Sequence, residues 1–261
     1  MEITLLGVHN LESANTRLVS ILVDGVVAID AGCITSALTF KEQQKLEAIL
    51  LTHRHFDHIR DLATLGLGNV LSNIPWGTKK LYSLASVFEA LGSHIMNGVM
   101  YPDLTRLPSP EAPSFKTVLL EPYILKTVSG YKVLPVLVNH GVPTVGYEIT
   151  DGDGKSFFFS ADTTKGLSGA WEYISSPQFL IIETTFPNSM MDSAIAVGHL
   201  TPALLKDELI SFKEVKGYLP PTIVVHINPL YEEKIGKEIQ QVSQDLDAEI
   251  QLGFEGMKLV I

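Results

Sequence analysis

The chain contains few of the residues and segments that mark several large classes of protein. Its 261 residues include one cysteine, Cys33, which excludes an intrachain disulfide and agrees with a reducing compartment. No apolar run reaches the roughly 18 residues that a membrane-spanning helix needs. Residues 1–7 lack the basic region and the longer apolar segment of a secretory signal. We therefore expect a cytoplasmic protein that does not associate with membranes.

Positive charge is scarce as well. The sequence has 19 lysines and arginines against 29 aspartates and glutamates, which gives a formal net charge of −10. Such a surface repels nucleic acids in general, so a nucleic-acid partner is not expected. A small anionic substrate remains compatible with this charge, because divalent metal ions can keep a pocket positive inside an acidic protein.

Apolar residues are plentiful and their pattern indicates a layered α/β fold. Hydrophobic residues make up 46% of the chain and charged residues 18%, which is ample for a core. The length fits one large domain or two small ones, and we expect a single domain over residues 1–261. Strand and helix patterns alternate, and a turn is expected at 75–77 and a long loop at 98–113 that would line a substrate pocket. The predicted strands are 2–8, 17–23, 26–29, 46–51, 118–120, 123–128, 131–138, 145–150, 155–159, 179–183, 222–225 and 257–261. The predicted helices are 36–45, 59–67 (ended by Gly66 and Gly68), 84–91 (capped by Gly92), one that begins at Pro202, and 231–246.

The most informative stretch follows the predicted strand at 46–51. Four strong metal ligands, His53, His55, Asp57 and His58, fall within six residues. Imidazole and carboxylate together suit zinc, iron or manganese. His53 and His55 point the same way in an extended backbone, so Asp57 and His58 would face a second ion. A polar loop that happens to be rich in histidine is the alternative interpretation.

Other ligand-type residues stand where predicted strands end, and such residues meet at one edge of a sheet sandwich. The helix that begins at Pro202 has Thr201 as its expected N-cap, and His199 lies just before it. Asp30 is either a turn residue or a partner that orients a ligand histidine. Glu183 is either a functional group or only a support for a ligand. The strand-end residues are His53, His140, Asp162, Glu183 and His226.

This pattern of residues resembles that of the metallo-β-lactamase superfamily. The signature His-x-His-x-Asp-His is present at 53–58, and Asp-Ala-Gly at 30–32 also matches. The resemblance implies an αββα sandwich, with two sheets covered by helices on both outer faces. It also implies two divalent metal ions, commonly zinc, with manganese or iron as alternatives. By position, the first ion would be held by His53, His55 and His140, and the second by Asp57, His58 and His226, with Asp162 bridging the two.

Three further segments are similar to the class II cyclic-nucleotide phosphodiesterases. They are Glu183-Thr-Thr-Phe-Pro-Asn, Gly198-His-Leu-Thr-Pro and His226-Ile-Asn-Pro. The resulting hypothesis is a dinuclear phosphodiesterase for a small substrate such as 3′,5′-cyclic AMP or cyclic GMP. In it Asp57 orients a water molecule or accepts its proton, and His199 is a general acid or holds a phosphoryl oxygen. Thr201 and the start of its helix add contacts to the anion.

Several alternatives remain open. The signature aspartate and the Gly-His-Leu-Thr segment are also similar to ribonuclease Z, but a nuclease of that type needs a basic arm to hold RNA. A diiron redox protein of this superfamily usually has glutamate where His55 stands. A non-catalytic member, a lactone hydrolase or a thioesterase would keep the same fold. The sequence does not decide the native metal, the physiological substrate or whether the chain forms a homodimer.

Overall fold

Two sheets form the centre of the protein. The structure is a computed structural model that describes residues 1–72 and 76–261. One seven-stranded sheet has the order β14-β1-β2-β3-β4-β5-β6, and the other has the order β13-β12-β11-β10-β9-β8-β7. The strands are β1 (Glu2–Gly7), β2 (Ser20–Val23), β3 (Val27–Ile29), β4 (Ala48–Leu50), β5 (Lys79–Ser83), β6 (Phe115–Leu119), β7 (Lys126–Val128), β8 (Tyr131–Val138), β9 (Thr144–Thr150), β10 (Ser156–Phe159), β11 (Phe179–Glu183), β12 (Thr222–Val225), β13 (Ile250–Leu252) and β14 (Lys258–Val260).

Helices cover the outer faces of both sheets. A π-helical turn at Leu91–Ile95 and a short 3₁₀ turn at Asn188–Met190 complete the regular structure of the described residues. The helices are α1 (Ile34–Ala37), α2 (Phe40–Lys45), α3 (Phe56–Ile59), α4 (Leu62–Leu71), α5 (Ala85–Ala90), α6 (Ser168–Tyr173), α7 (Met191–Val197), α8 (Pro202–Lys216) and α9 (Glu232–Leu246).

Three buried apolar clusters define four layers. One cluster lies between the sheets and joins residues such as Ile21 and Leu50 of the first sheet to Tyr147 and Phe157 of the second. A second cluster packs α1, α4 and α5 against the outer face of the first sheet. A third packs α6, α8 and α9 against the second sheet. The αββα sandwich that the resemblance implies is therefore confirmed.

The predicted strands at 131–138, 179–183 and 222–225 have the same bounds in the structure, whereas several helices differ. The helix expected at 59–67 is divided into α3 and α4, and α4 continues through Gly66 and Gly68 to Leu71. A Cβ at Gly66 would lie 2.5 Å from the ring of Phe115, and one at Gly68 would lie 2.6 Å from the ring of Trp76. Close packing therefore requires these glycines, and they do not end the helix.

Other sequence predictions need smaller corrections. The helix expected at 36–45 is two short helices, α1 and α2, and Gly92 lies inside the π-helical turn and does not cap a helix. The sequence did not predict α6, α7 or β13. The turn expected at 75–77 begins outside the described residues. In the part of the chain that the structure describes, the helices are too short or too polar to cross a bilayer.

The loop at 98–113 packs against the outer layer of the first sheet. Leu104 is fully buried in that layer, and its carbonyl accepts a hydrogen bond from the backbone N–H of Phe115 at 3.1 Å. The backbone N–H of Ser114 donates to the carbonyl of Leu107. The loop is thus attached to β6, and its expected role in lining a substrate pocket stays a prediction.

Candidate metal centre

The ligand-type residues converge where strands of both sheets end. The segment after β4 in the first sheet delivers His53, His55, Asp57 and His58. The second sheet delivers residues that follow β8, β10 and β12, and their side chains meet those of the first sheet. Backbone contact across the sheets continues to this edge, because the N–H of Val145 donates to the carbonyl of Thr52 at 3.2 Å. The residues from the second sheet are His140, Asp162 and His226.

One set of donors, which we name the first ligand group, consists of His53, His55, His140 and Asp162. Nδ1 of His55 lies 3.0 Å from Nε2 of His53 and 3.1 Å from Nε2 of His140. Oδ2 of Asp162 is 3.7 Å from Nε2 of His53 and 4.0 Å from Nε2 of His140. A zinc ion about 2.1 Å from four tetrahedral ligands separates those ligands by about 3.4 Å. The observed spacing therefore suits one ion.

The second ligand group consists of Asp57, His58, Asp162 and His226. Nε2 of His58 lies 3.3 Å from Oδ2 of Asp57 and 3.3 Å from Oδ2 of Asp162. Nε2 of His226 lies 3.5 Å and 3.3 Å from the same two oxygens. Asp162 therefore belongs to both groups.

Asp30 is linked by hydrogen bonds to two histidines of the ligand groups, directly to one and through Thr52 to the other. Its carboxylate is fully buried, and its Oδ2 accepts a hydrogen bond from Nδ1 of His58 at 2.7 Å. The N–H and the hydroxyl of Thr52 donate to the same carboxylate at 2.8 and 2.9 Å, and that hydroxyl lies 2.9 Å from Nδ1 of His53. Burial raises the pKa of Asp30, but His58 and the two hydrogen bonds from Thr52 act in the opposite direction and favour the ionised carboxylate. Asp30 is thus a partner of ligand histidines, and the interpretation as a mere turn residue is wrong.

Glu183 occupies the corresponding position in the second sheet. Its carboxylate is fully buried, and its Oε1 accepts a hydrogen bond from Nδ1 of His199 at 2.8 Å. Its Oε2 accepts from the hydroxyl of Thr185 at 3.0 Å, and this hydroxyl lies 2.8 Å from Nδ1 of His226. Glu183 therefore supports a ligand of the second group and His199 together.

His199 lies beside one histidine of each ligand group. The centroid of its ring is 5.1 Å from that of His140, and it stacks on the ring of His226 at 5.1 Å with an interplanar angle of 21°. Burial lowers the pKa of His199, but the charge of Glu183 and its hydrogen bond outweigh that effect and raise the pKa to about 9. Since Nδ1 donates to Glu183, Nε2 is the nitrogen that remains for another molecule.

Three residues of the site have strained backbone conformations. Asp30, Ala161 and His226 have φ values of 59°, 57° and 57°, in the left-handed region that residues with a side chain avoid at a cost of about 1–2 kcal/mol. Each follows the end of a strand: β3, β10 and β12 respectively. These turns redirect the chain so that Asp30, Asp162 and His226 face the site.

The charges of the site favour metal binding. Burial lowers the pKa of His53, His55 and His140, which favours the neutral imidazole that ligates a metal. Burial also acts to lower the pKa of His58, but Asp162, Asp30 and Asp57 together raise it well above the usual value. The three carboxylates around His58 therefore favour a positive charge at this position.

The donor set fits divalent metal ions. Nε2 of His58 is buried and makes no hydrogen bond to the described residues, although two carboxylate oxygens lie 3.3 Å away. A metal ion would satisfy such a nitrogen. Imidazole and carboxylate donors without a thiolate suit zinc, manganese and iron alike. Cys33, the one cysteine of the chain, is fully buried among apolar residues and packs with the outer helical layer.

Thr201 is the N-cap of α8, as the sequence predicted. Its side chain is fully buried and caps α8 by accepting a hydrogen bond from the N–H of Leu204. The N–H of Ala203 donates to Oδ1 of Asn188 at 2.7 Å, so the first turn of α8 is already satisfied by protein atoms. Thr201 therefore contributes to the start of the helix, and its expected contact with a substrate stays a prediction.

Sequence reasoning missed two threonines of the site. Thr52 and Thr185 are fully buried, and each links a carboxylate to a ligand histidine. A weak signal was present, since each threonine lies next to a strand end and close to a ligand-type residue. Threonine is common in strands, and its hydroxyl could not be assigned a partner without the fold.

Comparison with known proteins shows similarity to a family and to solved structures. A family profile described as "Beta-lactamase superfamily domain" matches residues 20–227. The crystal structure of unliganded yeast PDE1 has a TM-score of 0.83 at 17% identity, over 100% of this chain and 99% of that chain. The short form of human tRNase Z has a TM-score of 0.71 at 18% identity, over 100% and 99%. At these identities the two structures show the fold alone.

One curated relative is a Ribonuclease Z from Kineococcus radiotolerans. It is 29% identical over 129 residues, which are 48% of this chain and 37% of that protein. The matched region thus spans well under half of the relative's own length.

Proposed function

The chain belongs to the metallo-β-lactamase superfamily of hydrolases, and we propose that it is a dinuclear metal-dependent phosphodiesterase. Its substrate would be a small phosphodiester. Cyclic nucleotides such as 3′,5′-cyclic AMP or cyclic GMP are the first substrates to consider. The three segments that resemble class II cyclic-nucleotide phosphodiesterases include Glu183, His199 and His226. In the structure these residues are joined directly or through Thr185. The likeness thus covers residues that act together.

The observation that carries the proposal is the position of His199. Its ring lies 5.1 Å from a histidine of each ligand group, yet its Nδ1 is held by Glu183. Its side chain is 14% exposed, whereas that of Glu183 is fully buried. A histidine fixed in this way can donate a hydrogen bond or a proton from Nε2 to an oxygen of a substrate that spans the two ligand groups. Phosphodiester hydrolysis needs such a donor at its leaving oxygen or at a non-bridging oxygen.

The two ligand groups would hold two divalent ions. The first ion would be bound by His53, His55 and His140 and the second by Asp57, His58 and His226, with Asp162 common to both. When bound, such ions lower the pKa of a water molecule and neutralise charge on phosphoryl oxygens. Zinc is the ion we expect, with manganese and iron as alternatives.

Asp57 is the carboxylate of the site that is partly open to solvent. Its side chain is 32% exposed, whereas that of Asp162 is 3% exposed. Burial raises the pKa of Asp57, but the charge of His58 and the hydrogen bond with His226 outweigh that effect and hold the pKa far below its usual value. An ionised carboxylate at this position can orient a water molecule towards the phosphorus atom. We propose this as its catalytic role in addition to metal binding.

A ribonuclease Z-type activity is the second candidate. The partial similarity to the Kineococcus protein favours it, and the fold also resembles human tRNase Z. The formal net charge of −10 is unfavourable to RNA binding. We therefore favour a small substrate.

A panel of substrates tests the proposal. Purified protein loaded with zinc or manganese, with its metal content measured, is assayed with bis-p-nitrophenyl phosphate, cyclic AMP, cyclic GMP, a precursor transfer RNA, a lactone and a thioester. We expect hydrolysis of the phosphodiesters with little activity on the other classes. A fully metallated protein that leaves every small phosphodiester intact would refute the proposal, and cleavage of the precursor RNA alone would establish the second candidate.

A further inference from the structure

Two threonines make equivalent bridges behind the candidate metal centre. The hydroxyl of Thr52 lies 2.9 Å from Oδ2 of Asp30 and 2.9 Å from Nδ1 of His53. The hydroxyl of Thr185 lies 3.0 Å from Oε2 of Glu183 and 2.8 Å from Nδ1 of His226. Both threonines are fully buried, so protein atoms decide where their hydroxyl protons point.

The direction of each bridge follows from the chemistry of its members. An ionised carboxylate can only accept, so the threonine hydroxyl donates its single proton to the carboxylate. The hydroxyl oxygen then accepts a hydrogen bond from Nδ1 of the histidine. In the neutral form that a metal ion requires, the proton of His53 and of His226 is therefore on Nδ1, and the lone pair of Nε2 is directed at the ligand group. Outer hydrogen bonds of this kind set the tautomer and the ring orientation of a metal ligand.

The bridge through Thr185 has an additional connection. Glu183 accepts from Thr185 with one oxygen and from Nδ1 of His199 with the other. The rings of His199 and His226 are also stacked at 5.1 Å. We propose that Thr185 is a positioning residue whose hydroxyl fixes the tautomer of His226 for the second ion and, through Glu183, couples the binding of that ion to the placement of His199. This inference rests on the metal centre of the proposed function but not on the identity of its substrate.

Removal of the hydroxyl would leave two buried groups without their partner. In Thr185→Val, Nδ1 of His226 loses its acceptor, and Oε2 of Glu183 retains only the N–H of Leu200, at 3.3 Å. The ring of His226 is then free to adopt the other tautomer or to turn, and both changes remove Nε2 from the second ligand group. Thr185→Ser keeps the hydroxyl and should keep the bridge. Thr52→Val makes the same change behind His53, a ligand of the first group.

Zinc affinity tests the proposal without a substrate. Zinc is titrated in competition with a chromophoric chelator into the wild type, Thr185→Val, Thr185→Ser and Thr52→Val, and thermal unfolding checks that each variant is folded. We expect Thr185→Val to weaken the second ion by about 10–100-fold while the first is unchanged, the range typical for loss of an outer partner. Thr185→Ser should return close to the wild type, and Thr52→Val should weaken the first ion.

A variant background identifies which ion is affected. With Asp57→Asn the second ligand group is impaired, so the remaining tight ion belongs to the first group. In this background Thr185→Val should leave that ion unchanged, whereas Thr52→Val should weaken it. In ¹⁵N-histidine spectra of the zinc-loaded protein, the Nδ1 proton of His226 should be protected from exchange in the wild type and in Thr185→Ser but not in Thr185→Val.

Two outcomes overturn the proposal. One is that a folded variant without the hydroxyl binds both ions with wild-type affinity. If Thr185→Val does not fold, Thr185→Ala is used as the variant without the hydroxyl. The other is equal loss in the serine and valine variants, which would assign the effect to packing. Altered zinc affinity in a protein whose wild type hydrolyses no phosphodiester would refute the proposed function and leave this inference intact.

Discussion

The Glu183 carboxylate accepts a hydrogen bond from Nδ1 of His199 at 2.8 Å, and the Glu183 side chain is fully buried. His199 is thus held by a fixed negative charge beside both ligand groups, although it belongs to neither of them. The proposed function separates metal binding from substrate contact, and this separation can be measured, because residues of the two kinds should respond differently to substitution.

Substitution of His199 should impair turnover and spare metal binding. We expect His199→Ala to lower kcat on the best phosphodiester by about 10²–10⁴-fold, the usual contribution of a positioned acid or base. The zinc content after dialysis should equal that of the wild type. Loss of zinc together with activity would show that His199 is a metal ligand.

Glu183 should act through His199 and His226. Glu183→Gln places an amide N–H₂ against donors, so we expect activity to fall about 10–100-fold and the second ion to bind more weakly. Glu208 is the matched control, because it is also a buried carboxylate and accepts from the backbone N–H of Leu167 at 2.9 Å. Glu208→Gln should cost about 1–3 kcal/mol of unfolding free energy with normal zinc content and activity. Equal effects of the two substitutions on zinc binding would contradict the assignment of Glu183.

The shared position of Asp162 predicts how many ions each carboxylate holds. Asp162→Asn should weaken both ions, since Oδ2 of Asp162 lies 3.3–4.0 Å from Nε2 of four ligand histidines. Asp57→Asn should weaken only the second ion and leave about one zinc per chain. Metal analysis of both folded variants decides the matter, and a single ion in the wild type would remove the dinuclear arrangement.

Lys79 provides a prediction about pH that is independent of the metal centre. Its ammonium group is buried and donates to the carbonyl of Leu46 at 2.9 Å, and burial lowers the pKa of Lys79 from 10.5 to about 8. Between these two pH values the unfolded chain binds a proton that the folded chain does not, so the folded state gains stability as pH rises. Urea unfolding should show this rise in the wild type but not in Lys79→Met. The prediction would be wrong if the unfolding free energies of the wild type and Lys79→Met changed equally between pH 8 and 10.

The sequence was most informative where neighbouring residues determine the local structure. The strand at Phe179–Glu183 is a short apolar run followed by a polar loop, and Thr201 with Pro202 marks the start of α8. The strand was predicted with its observed bounds and the helix with its observed start. The signature at 53–58 predicted a metal centre because the donor types and their spacing are themselves the chemical requirement.

The sequence was least informative where distant residues decide the structure. Gly66 and Gly68 stay inside α4, where the rings of Phe115 and Trp76 occupy the space of a side chain, and Phe115 is far from them in sequence. The complete burial of Thr201 was not predicted either, because residues far from it in the sequence cover it. The role of Glu183 depends on Thr185 and on His199, which lies 16 residues further along the chain.

The candidate ligands also differ in when they become available during folding. His53, His55, Asp57 and His58 are neighbours in the chain, whereas His140, Asp162 and His226 join them only after the second sheet has formed and packed. An unfolded or newly made chain can therefore already capture an ion weakly through its first four donors. Metal bound to the unfolded state reduces the stabilisation that the native affinity would otherwise give. Zinc should consequently raise the melting temperature by less than its native dissociation constant implies, and excess zinc during refolding should slow the approach to the native state.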